Sequence, residues 1–201
     1  MSDERSAPGA PGIAPRWTSS AKSGVGTAAS QRSRVWFTIS HGILNEIYYP
    51  RLDQANTRDM GLIITAGSDF FSEEKRHTTS VIETIAPGVP GYRLTNTCTK
   101  GRYRIVKTVL TDPDDDVVLQ HTQFDALTGS RSDYRLYILL APHLGNQGAG
   151  KSGWIGDGRV FDTPPETSSR YLAGHEHSTR DRPLALWRFD DRVRTSSAAG
   201  R

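Results

Sequence analysis

Cysteine is all but missing from this chain: Cys98 stands alone among 201 residues. A single thiol allows no intrachain disulfide and no cysteine-built metal cage. Cys98 reads as a small buried residue in a strand. Lysine is scarce as well, 5 residues against 20 Arg. The basic groups alternate with acids, as in Arg102–Lys107 followed by Asp112–Asp116, and the net charge is only +3. No basic stripe forms, which argues against a nucleic-acid partner. No apolar run approaches the roughly 20 residues of a membrane helix. Met1–Pro15 has no apolar core of the kind a secretory signal needs. A cytoplasmic protein without membrane contact is the expectation. Helical periodicity is lacking too, since no stretch sustains the i, i+3, i+4 spacing over three turns with caps.

What remains is strand and turn. Nineteen Gly and eleven Pro punctuate short runs rich in β-branched and aromatic residues. Strands are expected near Val35–Ser40, Glu46–Tyr49, Leu62–Thr65, Val81–Ile85, Tyr92–Cys98, Arg102–Leu110, Val117–Phe124 and Tyr134–Leu140. Turn signals separate them: Ala66–Asp69, Pro87-Gly88, Lys100-Gly101, Asp112-Pro113 and Thr128-Gly129. In Tyr92–Cys98, Tyr92, Leu94, Asn96 and Cys98 share one face and Arg93, Thr95 and Thr97 the other, the mark of a half-solvated antiparallel strand. Tyr134, Leu136, Ile138 and Leu140 line one face in the same way. Many short strands at this spacing predict an all-β antiparallel sandwich. Residues 1–15, rich in Ala, Pro and Gly, are expected to be disordered. The sandwich is expected over 16–158. Residues 159–201 hold eight Arg, no Lys and few apolar residues, with Leu184–Phe189 the one strand-like patch, and are expected to be a disordered tail.

Several motifs imitate chemistry. Gly145–Ser152 (Gly-Asn-Gln-Gly-Ala-Gly-Lys-Ser) fits the phosphate-loop pattern and follows an apolar strand. Such a loop works only when a helix N-terminus faces the phosphate. The next residues, Gly153–Gly158, include three glycines and do not start a helix. A glycine-rich surface loop is therefore the preferred reading, with nucleotide binding the alternative. Gly148-x-Gly150-x-x-Gly153 fails as a dinucleotide fingerprint for the same reason. Asp112–Asp116 reads as an acidic turn rather than a cation site, because it lacks the glycine spacing of a calcium loop. His175-Glu176-His177 lacks a third metal ligand. Glycoside hydrolysis needs two facing carboxylates. Glu46, Asp53, Asp59, Glu73, Glu74 and Glu83 qualify by type alone, and most read as strand-surface or turn acids. No catalytic residue, metal site or cofactor is assigned.

Three segments read together carry a resemblance: Trp17–Thr27 (Trp-Thr-Ser-Ser-Ala-Lys-Ser-Gly-Val-Gly-Thr), Arg34–Pro50 (Arg-Val-Trp-Phe-Thr-Ile-Ser-His-Gly-Ile-Leu-Asn-Glu-Ile-Tyr-Tyr-Pro) and Asn56-Thr-Arg-Asp59. Phe70–Glu74, Lys107–Pro113 and Ala141–Asn146 continue it. The chain resembles the N-terminal domain of bacterial glucoamylases and glucodextranases of glycoside hydrolase family fifteen, from about Pro11 to Asp157. The resemblance implies an antiparallel super-sandwich of the galactose mutarotase-like kind, here incomplete. In that family the sandwich precedes a toroid of helical hairpins that carries the acid and base glutamates. Nothing in this chain matches the toroid, so the expectation is an accessory, carbohydrate-associated domain, inactive alone. Its expected partner is a glycoside hydrolase catalytic domain absent from this chain, with the α-glucan substrate as a second contact. The arginine-rich change after Gly158 is read as a shifted frame or truncated gene copy, which keeps a non-functional fragment as an alternative. A complete sandwich enzyme such as an aldose epimerase is a further alternative, and needs a His and a Glu converging in a cleft.

Aromatics beside polar groups suit sugar faces and interfaces alike. For Trp36 and Phe37 ordinary core is preferred. Tyr48, Tyr49, Asp53, Asn56, Arg58 and Asp59 are expected on or beside a long loop, Pro50–Met60. That loop is the candidate surface toward the catalytic domain and its sugar.

Overall fold

The computed structural model describes residues 21–146 throughout, and beyond them the backbone of the strands 152–156, 159–163, 171–179 and 182–190. The expected N-terminal segment, 1–15, lies outside the described residues.

Five strands come first: β1 (Gly24–Thr27), β2 (Trp36–Ser40), β3 (Ile43–Tyr48), β4 (Ala55–Ala66) and β5 (Phe70–Glu73). A single helical turn, α1 (Glu74–His77), leads into β6 (Thr78–Thr84), β7 (Tyr92–Cys98), β8 (Tyr103–Thr111), β9 (Val117–Ala126) and β10 (Tyr134–Pro142). Then follow β11 (Ser152–Gly156), β12 (Arg159–Thr163), β13 (Tyr171–Thr179) and β14 (Arg182–Asp190). One sheet has the order β1-β2-β3-β4-β10, with β5 also paired to β4; the other runs β11-β12-β13-β14-β9-β8-β7-β6. Every pairing among the described residues is antiparallel. The fold is the all-β antiparallel sandwich that the alternation predicts.

Alternation also decides which side chains meet between the sheets, because successive residues of a strand point to opposite faces. On β8, Tyr103, Ile105, Lys107, Val109 and Thr111 are buried, while Arg104 is exposed. Phe37, Ile39, Leu44, Ile47 and Met60 of the first sheet pack in one cluster with Leu94, Val109 and Val118 of the second. Leu62, Ile64, Phe70 and Tyr134 form another with Cys98, Tyr103, Ile105 and Phe124. Tyr103 stacks on Phe124 with ring centroids 5.5 Å apart. Burying a Phe or Leu side chain stabilises by about 1.5–3 kcal/mol, so these clusters hold the two sheets together. Cys98 is buried among them.

The helix α1 links the sheets. Its Glu74 is fully buried and reaches the second sheet, where Lys107 Nζ donates to Oε2 at 2.5 Å and Asn96 Nδ2 to Oε1 at 2.6 Å. The main-chain N–H of Leu62 donates to the same Oε2 at 3.0 Å. Reading Glu74 as a surface or turn acid is therefore corrected: it is the centre of a sealed polar cluster.

Two further expectations change. The long loop Pro50–Met60 is only partly a loop, because β4 begins at Ala55 and puts Asn56, Arg58 and Asp59 on a strand. Polar side chains give this stretch little intrinsic strand preference; pairing with β3 and β10 supplies it. The segment 159–201 is not wholly a disordered tail, since β12, β13 and β14 run through it. The patch Leu184–Phe189 falls within β14, which pairs with β9 from Leu184↔His121 to Arg188↔Val117. A strand added to an existing edge gains main-chain partners first, and composition alone does not reveal that. Residues 164–170, 180–181 and 191–201 lie outside the described residues. Among the described residues no helix is long and apolar enough to cross a membrane.

Candidate functional site

A register shift in β3 builds the site. Across the β2–β3 pair, Thr38 faces Glu46 and Ile39 faces Leu44, so Asn45 has no opposite number. A bulge of this kind re-aims side chains. Here Lys22 Nζ reaches both residues, Asn45 Oδ1 at 2.5 Å and Glu46 Oε2 at 2.7 Å. The Tyr48 hydroxyl donates to Glu46 Oε2. Asn45 Nδ2 donates to Asp59 Oδ1 at 2.8 Å, and Lys75 Nζ donates to Asp59 Oδ2 at 2.7 Å. Asp59 faces away from the core because Met60, its neighbour on β4, points into it. The result is a connected polar network of Tyr48, Glu46, Lys22, Asn45, Asp59 and Lys75.

The network holds two ammonium groups and two carboxylates, so its formal charge is balanced. Its ionic side chains are 14–22% exposed, enough to meet a partner and little enough to be held in place. Burial pushes the Tyr48 hydroxyl well above its ordinary pKa, and the hydrogen bond to Glu46 and the charge of that carboxylate add to the rise. Tyr48 therefore stays protonated at neutral pH. Both carboxylates are engaged by a lysine. The arrangement offers fixed donors and acceptors rather than a free acid and a free base.

The six residues expected from sequence are not gathered in one place: some join this network, two are buried in the interior and one lies on an exposed turn. Tyr48 and Asp59 belong to the network, and Arg58 joins it through its carbonyl, which accepts from Asn45 Nδ2 at 3.3 Å. Asn56 is buried: its Nδ2 donates to the Tyr49 carbonyl at 2.5 Å and its Oδ1 accepts from Gly145 N–H at 2.9 Å. Tyr49 is also buried, with Arg34 Nη2 donating to its hydroxyl at 2.8 Å and the guanidinium 5.1 Å from its ring centroid. Both fasten the chain rather than face outward. Asp53 sits apart on an exposed turn, 2.6 Å from Arg51. Sequence reasoning did not single out Lys22, Asn45 and Lys75, and no signal in the pattern marks the bulge that gathers them.

The other motifs resolve structurally. Leu144–Asn146 form a short 3-10 turn, and the N–H of Gly145 is already given to Asn56. Residues 147–151 lie outside the described residues, and Ser152 opens β11. A strand follows the phosphate-loop letters where a nucleotide site needs a helix. In the acidic turn, Asp112 Oδ1 accepts from the N–H groups of Asp114 and Asp115, while Asp114 pairs with Arg32 and Asp116 with Arg34. His175 and His177 lie on β13.

With the fold and this surface in view, known proteins offer close parallels. Residues 7–173 match the family described as glucodextranase, domain N. That match begins within the segment expected to be disordered and ends past Gly158. A glucoamylase of Clostridium sp. (strain G0005) is 41% identical over 150 residues, which cover 75% of this chain and 21% of that protein. The crystal structure of a bacterial glucoamylase complexed with acarbose superposes with a TM-score of 0.76 at 29% identity, over 88% of this chain and 31% of that one. The chain thus spans only a minor part of the length of either relative. Sequence family, identity and fold agree: the chain belongs to the glucodextranase domain N family.

Proposed function

We propose that this sandwich is an accessory domain of a glucoamylase-like α-glucosidase, and that its Tyr48–Asp59 surface is the face turned toward the catalytic domain of such an enzyme. The observation that carries the reading is the charge-balanced network on the outer side of β3 and β4. A surface that meets another domain loses water. Polar groups that already satisfy one another lose less by it than isolated charges do. The protonated Tyr48 hydroxyl and the partly exposed, lysine-paired carboxylates of Glu46 and Asp59, held from below by the buried Asn45 amide, suit a polar partner surface and the rim of a sugar cleft. Hydrolysis of starch- or dextran-type glucan belongs to the catalytic domain, where the two facing carboxylates of a glycosidase would lie.

The test is a chimera in which this chain replaces the matched 150-residue segment of the Clostridium glucoamylase. Hydrogen bonds to charged groups contribute about 1.5–3 kcal/mol. Asp59→Ala in the chimera is expected to weaken domain association or α-glucan turnover by at least tenfold. Asp53→Ala, at an exposed ion pair worth about 0–1 kcal/mol, is expected to change neither. Equal behaviour of the two variants overturns the assignment of the face.

A further inference from the structure

We infer that the outer face of β4, β5 and β10 is a binding track for a linear α-glucan, with the Tyr137 and Phe71 rings as stacking platforms and Arg135 and Glu73 as hydroxyl partners. The inference rests on the accessory-domain reading above and goes beyond it by giving the sandwich a sugar contact of its own, outside the Tyr48–Asp59 network.

The first observation is which side chains share this face. Met60, Leu62 and Ile64 of β4 point into the core, so Asp59, Ile63 and Thr65 point out. The register then sets two rows across the three strands. Phe71, Thr65 and Arg135 form one row, and Glu73, Ile63 and Tyr137 form the next. Leu139, opposite Gly61, continues the face on β10. Phe71 and Tyr137 are 57% and 53% exposed, and Leu139 is 41% exposed. Two aromatic rings thus stand in water on one sheet face.

The second observation is the chemistry beside the rings. An aromatic face carries negative charge density and attracts the positive edges of a flat apolar body. The C–H faces of a glucose ring are such a body, and its hydroxyls lie around the rim. Each row here joins one ring to one charged group. Arg135, in the row of Phe71, is exposed and has no ion-pair partner among the described residues. Its guanidinium fork can donate to two neighbouring hydroxyls. Glu73, in the row of Tyr137, is 20% exposed and held 3.1 Å from Arg76, so its carboxylate is placed to accept. The Phe71 ring is also fixed. The His77 ring stands edge-on to it at 6.4 Å and 80°, and His77 Nδ1 accepts from the Glu73 N–H at 2.9 Å. A platform held before the ligand arrives loses less freedom on binding.

The third observation selects the occupant. Strands about 4.8 Å apart and a rise of about 3.4 Å per residue put Phe71 and Tyr137 about 12 Å from each other. One sugar ring cannot touch both, so the pair suits a chain of sugars. A protein that covered this face would take Arg135 out of water and would have to bring an acid for it. It would also meet two rings parted by Thr65 and Ile63 rather than one continuous apolar patch. Along β4 the same face leads from Thr65 to Asp59, about 20 Å at that rise, and so ends at the Tyr48–Asp59 network. A weak hold on a long glucan here raises its effective concentration at the adjoining cleft.

The test titrates this chain with a linear maltooligosaccharide and, separately, with glucose, and follows amide chemical shifts. The expected result is saturable movement confined to residues 63–65, 71–73 and 135–139, with glucose binding at least tenfold more weakly. Tyr137→Ala is expected to weaken oligosaccharide binding at least about fivefold, the scale of a lost ring contact. Tyr137→Phe, which keeps the ring, is expected to retain most of the binding. Val81→Ala, at an exposed apolar residue of β6, is expected to leave it unchanged. The shift map of the unaltered chain decides the matter even if a variant misfolds. The inference is overturned by the absence of saturable shifts, by shifts confined to other residues, by equal binding of glucose, or by a Tyr137→Ala protein that binds like the original. An active chimera whose sandwich binds no oligosaccharide overturns the track and leaves the accessory reading standing. Oligosaccharide bound on this face by a chain whose chimera gains no α-glucan hydrolysis does the reverse.

Discussion

Lys107 Nζ lies 2.5 Å from Glu74 Oε2, and neither side chain is exposed to solvent. One belongs to β8 of the second sheet and the other to the helical turn that leaves the first, so this ion pair joins the two layers. Asn96 and the Leu62 N–H complete the shell around the carboxylate. Removing one member of such a pair leaves an uncompensated buried charge and costs about 3–5 kcal/mol, a large share of the roughly 5–15 kcal/mol that holds a domain folded. Lys107→Ala is expected to lower the urea midpoint accordingly. The double variant Glu74→Leu, Lys107→Met removes both charges and is expected to recover most of the loss. A Lys107→Ala protein that unfolds like the original contradicts the buried pair.

Gly42 gives a second, independent test of how the sheets approach. Its φ of +71° lies in the left-handed region, and a Cβ there would stand 2.1 Å from Asn96 Oδ1 and 2.3 Å from Ser80 Oγ. Gly101 has a similar φ of +67° with nothing within 4 Å of its would-be Cβ. Gly101→Ala carries only the backbone strain of about 1–2 kcal/mol. Gly42→Ala carries the strain and the collision, and is expected to be less stable than Gly101→Ala by about 2 kcal/mol or more, the scale of overpacking costs. Equal thermal midpoints would mean that the β2–β3 turn does not press on β6 and β7.

Tyr48 titrates higher in the folded chain than in the unfolded one, through burial first and then Glu46. Above the unfolded value of about 10, the unfolded state releases a proton that the native state keeps. Stability from this group is therefore full below about pH 10 and falls as pH rises beyond it. Tyr103 adds to the same trend, pushed up to about 12 mainly by burial. Tyr48→Phe is expected to be less stable near neutral pH, where it lacks the hydroxyl's bond to Glu46, and to lose less stability between pH 9 and 11. A variant with the same alkaline slope as the original would place Tyr48 in open solvent.

Asp125 works in the opposite sense. The hydrogen bond from Gln123 and the Arg104 guanidinium hold its carboxyl below the usual range. Its stabilisation is present above the unfolded value of about 3.9 and disappears as pH falls through the lower folded value. Asp125→Asn is expected to destabilise slightly at pH 7 and to have less effect at pH 3. A larger effect at pH 3 than at pH 7 would reverse the sign.

Much of this sandwich is legible in the chain. The alternation in Tyr92–Cys98 gives β7 residue for residue, and Lys100-Gly101 gives its hairpin to β8. Less legible are strands whose residues favour turns. Gly24–Thr27 becomes β1 because it pairs with β2, and the polar Asn56–Asp59 stretch becomes strand between two neighbours. The site is half legible. Tyr48 and Asp59 stand out by type, but the bulge at Asn45 and the arrival of Lys22 and Lys75 depend on contacts between distant segments. Lys107 did leave a trace: it occupies the core parity of β8 between Ile105 and Val109, where a lysine needs a buried partner. The acidic partner could not be chosen from sequence, because Glu74 reaches it from a helical turn outside either ladder.

The most direct measurement of the accessory role is glucose release from a linear α-glucan by three proteins: this chain alone, the Clostridium glucoamylase lacking its matched 150-residue segment, and the chimera in which this chain fills that place. The expected result is turnover by the chimera, little or none by the deleted enzyme and none by this chain. Glucose release by this chain that a single carboxylate substitution abolishes, or a deleted enzyme as active as the chimera, would contradict it.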